Sequence, residues 1–222
     1  MDREKEKFRL KFLSLFYLQK LYVWNIILPL VYFCVFYMGF KFTKLEIDGL
    51  VIAEPDVFAD NRGFFMETYK KSLFSTNGIE VEFSQDNHSY SKEGVLRGLH
   101  FQKEPYGQDK LVRCIKGEIY DVAVDLRKNS PTFGKWYGLN LSEENKKMFY
   151  IPRGFAHGFY VLSETAEVSY KVSGEYVPSA NCGVLWNDPE IGIDWGVIKP
   201  ILSEQDAKWP TLAEIKEQLW KY

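Results

Sequence analysis

The 222-residue chain has few of the residues that form disulfides and metal sites, with only three cysteines and three histidines. Cys34, Cys114 and Cys182 are odd in number and widely spaced, which argues against a disulfide framework and against a zinc motif. This pattern favours a reducing compartment, and we expect a cytoplasmic protein. The formal net charge is -2, so the overall basic character of many nucleic-acid-binding proteins is also missing, and we expect no nucleic-acid partner.

Long helical patterns are scarce as well, and short apolar runs take their place. From residue 42 onward these runs recur roughly every 8 to 12 residues between Gly and Pro punctuation, which is typical of a β-sandwich or barrel. The aromatic content of 17% also favours strands. Only the segment after Pro210 predicts a helix, because its apolar residues have helical spacing. These residues are Leu212, Ile215 and Leu219.

Two runs in the middle of the chain predict a β-hairpin. Residues 111–115 and 119–126 are separated by a short turn that contains Gly117. In the second run, alternation places apolar and acidic side chains on opposite faces of the strand. One face holds Tyr120, Val122, Val124 and Leu126, and the other holds Asp121, Ala123 and Asp125. Alternation alone leaves open whether the two aspartates point into the fold or toward solvent.

The first forty residues differ in composition from the rest. Residues 1–20 are rich in Lys and Arg, and residues 21–40 carry no formal charge. An apolar run of this length fits a membrane-spanning helix, which would place the following residues outside the cell. An interfacial segment and a mis-assigned start upstream of Met38 are the alternatives, and a membrane partner is expected only if the extension is genuine. We therefore divide the chain into an N-terminal extension, residues 1–37, and a main domain, residues 38–222.

Two histidines lie in glycine-containing segments, one from Gly94 to His100 and one from Pro152 to His157. Their spacing resembles the two motifs of the cupin family. This resemblance implies a mainly β fold, a cupin-type jelly-roll β-barrel with a few short helices and a C-terminal helix. Cupins that bind a metal use three or four imidazole and carboxylate ligands. Here Gln102 occupies the second histidine position and the motif's glutamate is missing, so we expect no metal.

A longer resemblance covers about residues 45–210. Several segments resemble the dTDP-4-dehydrorhamnose 3,5-epimerase family, and they follow one another in the same order and spacing. They are Asp60-Asn61-Arg62-Gly63-Phe64-Phe65, Gln85-Asp86-Asn87-His88-Ser89, Leu96-Arg97-Gly98-Leu99-His100-Phe101-Gln102, Lys110-Leu111-Val112-Arg113, Ser130-Pro131-Thr132-Phe133-Gly134, residues 151–159 and Trp186-Asn187-Asp188. The resemblance implies an isomerase that inverts C3 and C5 of a dTDP-4-dehydro-sugar in dTDP-rhamnose and polysaccharide biosynthesis. It also implies a homodimer with an exchanged N-terminal strand.

The resemblance also assigns roles in proton transfer. Epimerisation next to a ketone needs a base, a group that stabilises the enolate oxygen, and an acid on the opposite face of the ring. His100 is the expected base and Asp206 the carboxylate that orients it. Lys110 is expected to lie near the enolate, and Tyr170 is expected to deliver the proton. No cofactor is implied, because the reaction involves no net redox change.

Other residues are expected to bind the substrate. Arginine pairs well with phosphate oxygens, so Arg62 and Arg97, together with His157, are candidates for pyrophosphate and sugar contacts. Glu67, Gln85 and Asn87 are expected to contact the sugar and the base. Asn181 stands where the family often has a glutamate, which leaves one nucleotide contact in doubt.

Simpler interpretations of the same residues stay open at this stage. His100 and Tyr170 could be packing residues, His157 a turn residue, Lys110 a solvated strand charge and Asp206 an acid in the first turn of a helix. Three other functions are compatible with the motifs. They are an epimerase or ketoisomerase acting at C3 or C5 only, a metal-dependent dioxygenase, and a non-catalytic sugar-binding cupin.

Overall fold

The computed structural model describes residues 39–216 and residue 219. The N-terminal extension predicted over residues 1–37 lies outside these residues, as does all but the end of the apolar run at residues 21–40. Within the described part of the chain, no helix is both long and apolar enough to cross a bilayer. The division into an extension and a main domain stays a prediction.

The described residues form thirteen strands and two short α-helices. The strands are β1 (Phe40–Lys44), β2 (Val51–Pro55), β3 (Phe58–Asp60), β4 (Gly63–Phe65), β5 (Phe83–Lys92), β6 (Leu96–Gln102), β7 (Lys110–Lys116), β8 (Glu118–Asp125), β9 (Trp136–Ser142), β10 (Met148–Ile151), β11 (Phe155–Val161), β12 (Thr165–Ser173) and β13 (Asn181–Gly183). The helices are α1 (Lys71–Thr76) and α2 (Leu212–Ile215), and two 3-10 turns cover Pro178–Ala180 and Asp206–Lys208. The predicted mainly β fold with a few short helices is confirmed.

The strands form two large antiparallel sheets and one small ribbon. The six-stranded sheet has the order β1-β2-β10-β7-β12-β5, and the five-stranded sheet has the order β13-β6-β11-β8-β9. Strands β3 and β4 pair only with each other among the described residues. Hydrogen bonds between described strands do not close the two large sheets into a continuous barrel. The fold is therefore a jelly-roll-like sandwich with open edges.

The main core lies between the two large sheets. It contains Val112 and Phe149 from the six-stranded sheet and Ala123 and Phe159 from the five-stranded sheet. A second cluster covers the outer face of the five-stranded sheet, where Val122 packs with residues of the C-terminal segment. Full burial of one large apolar side chain contributes roughly 1.5–3 kcal/mol. These two clusters confirm the alternation predicted for residues 119–126, because the aspartates lie on the face of Ala123 and are buried.

The predicted hairpin between residues 111–115 and 119–126 is wrong. Strand β7 pairs with β10 and β12, whereas β8 pairs with β9 and β11 in the other sheet. Gly117 joins them with a positive φ of 76°, and a Cβ at this position would overlap the carbonyl oxygen of Thr165. The glycine therefore lets the chain turn a corner between the sheets, where two adjacent runs in sequence do not become adjacent strands.

The C-terminal segment is fixed to the five-stranded sheet at two points. Thr211 caps α2, and its N–H and hydroxyl both donate to Glu214 at 2.7 and 2.8 Å. The carboxylate of Asp188 accepts a hydrogen bond from the N–H of Leu212 at 2.8 Å. Leu212 and Ile215 are buried in the second cluster. The terminal helix is therefore present, although its described part is short, and the segment before it carries Asp206 to the edge of the sandwich.

Candidate active site

Five of the predicted site residues line one cavity of about 300 Å3. His100 comes from β6 of the five-stranded sheet, whereas the other four come from β5, β7 and β12 of the six-stranded sheet. The cavity therefore lies where the two sheets face each other, and polar groups reach it from both sides. Its lining residues are Gln85, Asn87, His100, Phe101, Gln102, Gln108, Lys110, Tyr170, Tyr176 and Asn181.

His100 and Asp206 form a short hydrogen bond at the cavity wall. The distance from Nε2 of the imidazole to Oδ1 of the carboxylate is 2.5 Å. Asp206 is buried, and burial alone would raise the pKa of its carboxyl. Hydrogen bonds and charge from His100, with smaller contributions from Ser203 and Trp209, outweigh burial and hold that pKa below its usual value. Since the carboxylate is ionised, Nε2 carries the proton that it donates, and Nδ1 is left as the basic nitrogen.

Lys110 lies beside this pair as a desolvated cation. Its Nζ donates to the carbonyl oxygen of His100 at 3.4 Å. Burial lowers the pKa of Lys110 to about 8, against an opposing attraction from Asp121. A lysine with this pKa still carries a positive charge over much of the neutral range, and because the ammonium is desolvated, that charge acts more strongly on an oxyanion than it would in water.

Tyr170 approaches the cavity from β12, where it is directly paired with Asn87 of β5. Burial raises the pKa of the Tyr170 phenol, and the nearby charge of Arg97 partly opposes the shift. The phenol is therefore protonated at neutral pH and able to donate. Arg97 does not line the cavity; its guanidinium donates to Ser91 Oγ at 2.9 Å and to the carbonyl oxygen of Tyr90 at 3.2 Å.

His157 lies next to His100 across strands β11 and β6, but its side chain is buried and does not line the cavity. Its Nε2 lies 2.9 and 3.0 Å from the two carboxylate oxygens of Asp121. Desolvation lowers the pKa of His157, although the carboxylate of Asp121 opposes the shift. The expected contact of His157 with substrate stays a prediction. The sequence alone could have indicated Asp121 as a buried partner only if the face of β8 that carries it had been known to point inward.

Gln102, at the second histidine position of the cupin motif, is occupied by backbone contacts. Its Oε1 accepts from the N–H of Val177 at 2.7 Å, and its Nε2 donates to the carbonyl oxygen of Tyr106 at 2.9 Å. The side chain therefore holds a loop that carries the cavity-lining Tyr176. Within residues 39–216 and 219, no three His, Cys, Asp or Glu side chains converge in a way that could hold a metal ion.

Two further predicted binding residues, Arg62 and Glu67, do not line the cavity of their own chain. Arg62 lies at the turn of the β3–β4 ribbon with 86% of its side chain exposed, and its guanidinium pairs with Asp60 at 2.6 Å. Glu67 follows the ribbon, and its Oε1 forms an ion pair with the ammonium of Lys70 at 3.5 Å. The other carboxylate oxygen of Glu67 is buried and has no hydrogen-bond partner among the described residues. The binding roles of both residues stay predictions.

Comparison with known proteins decides the family. A family model described as dTDP-4-dehydrorhamnose 3,5-epimerase matches residues 44–214. The chain belongs to this family. A dTDP-4-dehydrorhamnose 3,5-epimerase of Shigella flexneri is 57% identical over 73% of this chain and 91% of its own length. The enzyme of Methanothermobacter thermautotrophicus is 54% identical over 79% of this chain and 96% of its own length.

A solved structure agrees with the sequence comparison. The crystal structure of dTDP-6-deoxy-D-glucose-3,5-epimerase from Legionella pneumophila, in complex with dTDP-4-keto-L-rhamnose, has a TM-score of 0.80 and 45% sequence identity. The match covers 83% of this chain and 99% of the other. Membership of the epimerase family therefore accounts for the collinear segments and for the mainly β fold. The range matched by the family model, residues 44–214, contains every predicted site residue.

Proposed function

We propose that this protein converts dTDP-4-dehydro-6-deoxy-D-glucose to dTDP-4-dehydro-L-rhamnose by exchanging protons at C3 and C5. One observation carries the proposal. His100, which is bonded to Asp206, and Tyr170 come from opposite sheets and line the same cavity. A base and an acid that reach a sugar ring from two sides are what inversion at a carbon requires, because the proton leaves one face and returns to the other.

The first step is removal of a proton by His100. Its Nδ1 takes the acidic proton next to the C4 ketone. Meanwhile the Nε2–H group keeps its hydrogen bond to Asp206, with 2.5 Å between Nε2 and Oδ1. The carboxylate stabilises the imidazolium that forms and keeps the ring in one orientation. Its place at the cavity favours a catalytic role for His100 over a packing role, since His157 also pairs with a carboxylate but is enclosed in the core.

The second step is protonation from the opposite face. The ammonium of Lys110 stabilises the negative charge that develops on the C4 oxygen. Tyr170 then donates its phenolic proton to the carbon, and the enolate returns to the ketone. Before the same groups act at the second centre, His100 must lose the proton that it took and the Tyr170 phenolate must regain one, both by exchange with solvent, and the ring must be reoriented. No redox cofactor takes part in this chemistry.

Nucleotide binding is proposed to involve both members of a homodimer. Gln85 and Asn87 line the cavity within one chain, whereas Arg62 projects on the β3–β4 ribbon away from it. Phe64 and Phe65 on this ribbon are 56% and 59% exposed, which is unusual for two adjacent aromatic side chains on a monomer. Exchange of the N-terminal strands would cover these rings and would bring Arg62 and Glu67 to the cavity of the other chain.

The experiment is to incubate the purified full-length protein with dTDP-4-dehydro-6-deoxy-D-glucose and to determine the configuration of the product by NMR. Inversion at both C3 and C5 supports the proposal. Inversion at one centre supports a single-centre epimerase instead. If the sugar is unchanged while titration calorimetry detects its binding, the protein is a sugar-binding cupin. Since the substrate is cytosolic, the proposal also implies a cytoplasmic location for the site.

A further inference from the structure

Trp209 contacts both members of the His100–Asp206 pair. Its indole Nε1 donates to Oδ1 of Asp206 at 3.2 Å, which is the same oxygen that accepts from His100. The indole and imidazole rings meet edge to face, with centroids 6.1 Å apart and planes at 72°. Two ring N–H groups therefore meet at a single carboxylate oxygen, one from β6 and one from a residue only three positions after Asp206.

The indole is held in place by the edge strand of the sheet. Gly183 of β13 is the direct cross-strand partner of His100 in β6. A Cβ at Gly183 would overlap the indole of Trp209, so the ring lies directly against the backbone of β13 at this position. The absence of a side chain at Gly183 makes room for the indole. The indole therefore packs at β13, the strand next to β6, which carries His100.

We propose that Trp209 is a positioning residue, which fixes the carboxylate of Asp206 so that it holds His100 in the orientation for proton abstraction. This inference rests on the proposed function, because it assigns a purpose to a contact with the expected base. Trp209 lies outside the segments that indicated the family. No sequence pattern pointed to it, since one tryptophan among six in an aromatic-rich chain is by default a packing residue.

The physical need for a second donor follows from where Asp206 lies. It is the first residue of the 3-10 turn Asp206–Lys208, and its neighbours Gln205 and Ala207 are exposed. The carboxyl also interacts with Ser203, but Ser203 lies on the same exposed stretch of chain, so contacts with His100 and Ser203 alone leave the carboxylate freedom to rotate about its side-chain bonds. A second donor from a ring that is wedged against Gly183 removes this freedom. An indole N–H is suited to the task because it only donates and cannot compete with the carboxylate for the imidazole proton.

The first experiment compares Trp209→Phe with the matched variant Trp195→Phe. Both changes delete an indole N–H and keep an aromatic ring. Trp195 donates to the carbonyl oxygen of Trp186 at 2.8 Å in the second apolar cluster. We expect Trp209→Phe to lower kcat about tenfold with KM changed by less than about twofold, as suits loss of a hydrogen bond to a charged group. We expect Trp195→Phe to keep wild-type kcat. Equal losses in both variants would overturn the inference.

A double-mutant cycle separates positioning from a general structural effect. If Trp209 acts through Asp206, Trp209→Phe should cost less than about twofold in an Asp206→Asn background, because the charged partner is already gone. A full tenfold loss in both backgrounds would mean that Trp209 does not act through the carboxylate. A wild-type protein without epimerase activity would overturn the proposed function instead, so the two failures are distinguishable.

NMR supplies a readout that does not depend on activity or on the folding of a Trp209 variant. In the wild type, the indole proton of Trp209 should resonate downfield because it is bonded to a carboxylate. We expect this resonance to move upfield in Asp206→Ala, while the indole resonance of Trp195 stays in place. A Trp209 resonance that is unaffected by Asp206→Ala would contradict the contact itself.

Discussion

His100 and His157 are direct cross-strand partners in β6 and β11, yet their imidazoles bond different carboxylates. The ring of His100 reaches the cavity and bonds Asp206. The ring of His157 is turned into the interior, where it bonds the fully buried Asp121 of the neighbouring strand β8. Two histidines of the cupin motifs therefore lie side by side, one placed to meet a substrate and one placed to satisfy a carboxylate in the core.

The buried pair predicts a large effect of His157→Ala on stability. This change leaves the carboxylate of Asp121 in the core without its ring partner, which should lower the free energy of unfolding by about 3 kcal/mol or more. Urea unfolding measures the loss. The matched control is His88→Ala, since His88 pairs with Glu167 at 3.1 Å on an exposed face and should cost less than about 1 kcal/mol. Similar losses in both variants would contradict the role of the buried pair.

Lys110 predicts a fall in activity at alkaline pH. Burial lowers its pKa to about 8, so the ammonium is present below this pH and is lost as pH rises through it. A neutral amine cannot stabilise the enolate by charge, and kcat should therefore decline above about pH 8. In Lys110→Arg the charge persists to much higher pH, so this decline should disappear even if the rate is lower. A decline at the same pH in the arginine variant would assign it to another group.

Tyr170→Phe should separate the two proton transfers. The variant keeps the ring but loses the expected proton donor, so kcat should fall by about 100-fold or more while KM changes little. His100 should still exchange the proton that it removes, and deuterium from solvent should enter the recovered substrate faster than product appears. Wild-type kcat in Tyr170→Phe would exclude this phenol as the acid.

Gln102→Met tests whether this side chain holds the loop at the cavity. The methionine has a similar length but can neither accept from Val177 nor donate to Tyr106, so the loop that carries Tyr176 loses its fixed position. We expect KM for the dTDP-sugar to rise about tenfold, with a smaller change in kcat, because loss of one or two buried hydrogen bonds costs on the order of 1–3 kcal/mol. Steady-state kinetics measure both constants, and an unchanged KM would contradict the role.

The sheet-rich fold could be predicted because it depends on local patterns, whereas the residues of the cavity could be predicted only through the collinear segments that resemble a known family. Alternation in residues 119–126 indicated the correct faces, and the resemblance to the epimerase family grouped His100 with Lys110 and Tyr170, which line one cavity. The hairpin prediction failed at Gly117, since a short turn between two strands does not reveal whether the chain stays in one sheet. Asp121 and Trp209 were missed for a related reason: their partners are distant in sequence, and only the sheet register brings them together.

The most direct test of the proposed mechanism follows proton exchange at the substrate itself. The full-length protein is incubated with dTDP-4-dehydro-6-deoxy-D-glucose in D2O, and deuterium at C3 and C5 is measured by NMR in the wild type and in His100→Ala. The proposed mechanism predicts incorporation at both carbons in the wild type and none above background in the variant. Equal incorporation by His100→Ala, or no incorporation by a wild type that binds the sugar, would contradict it.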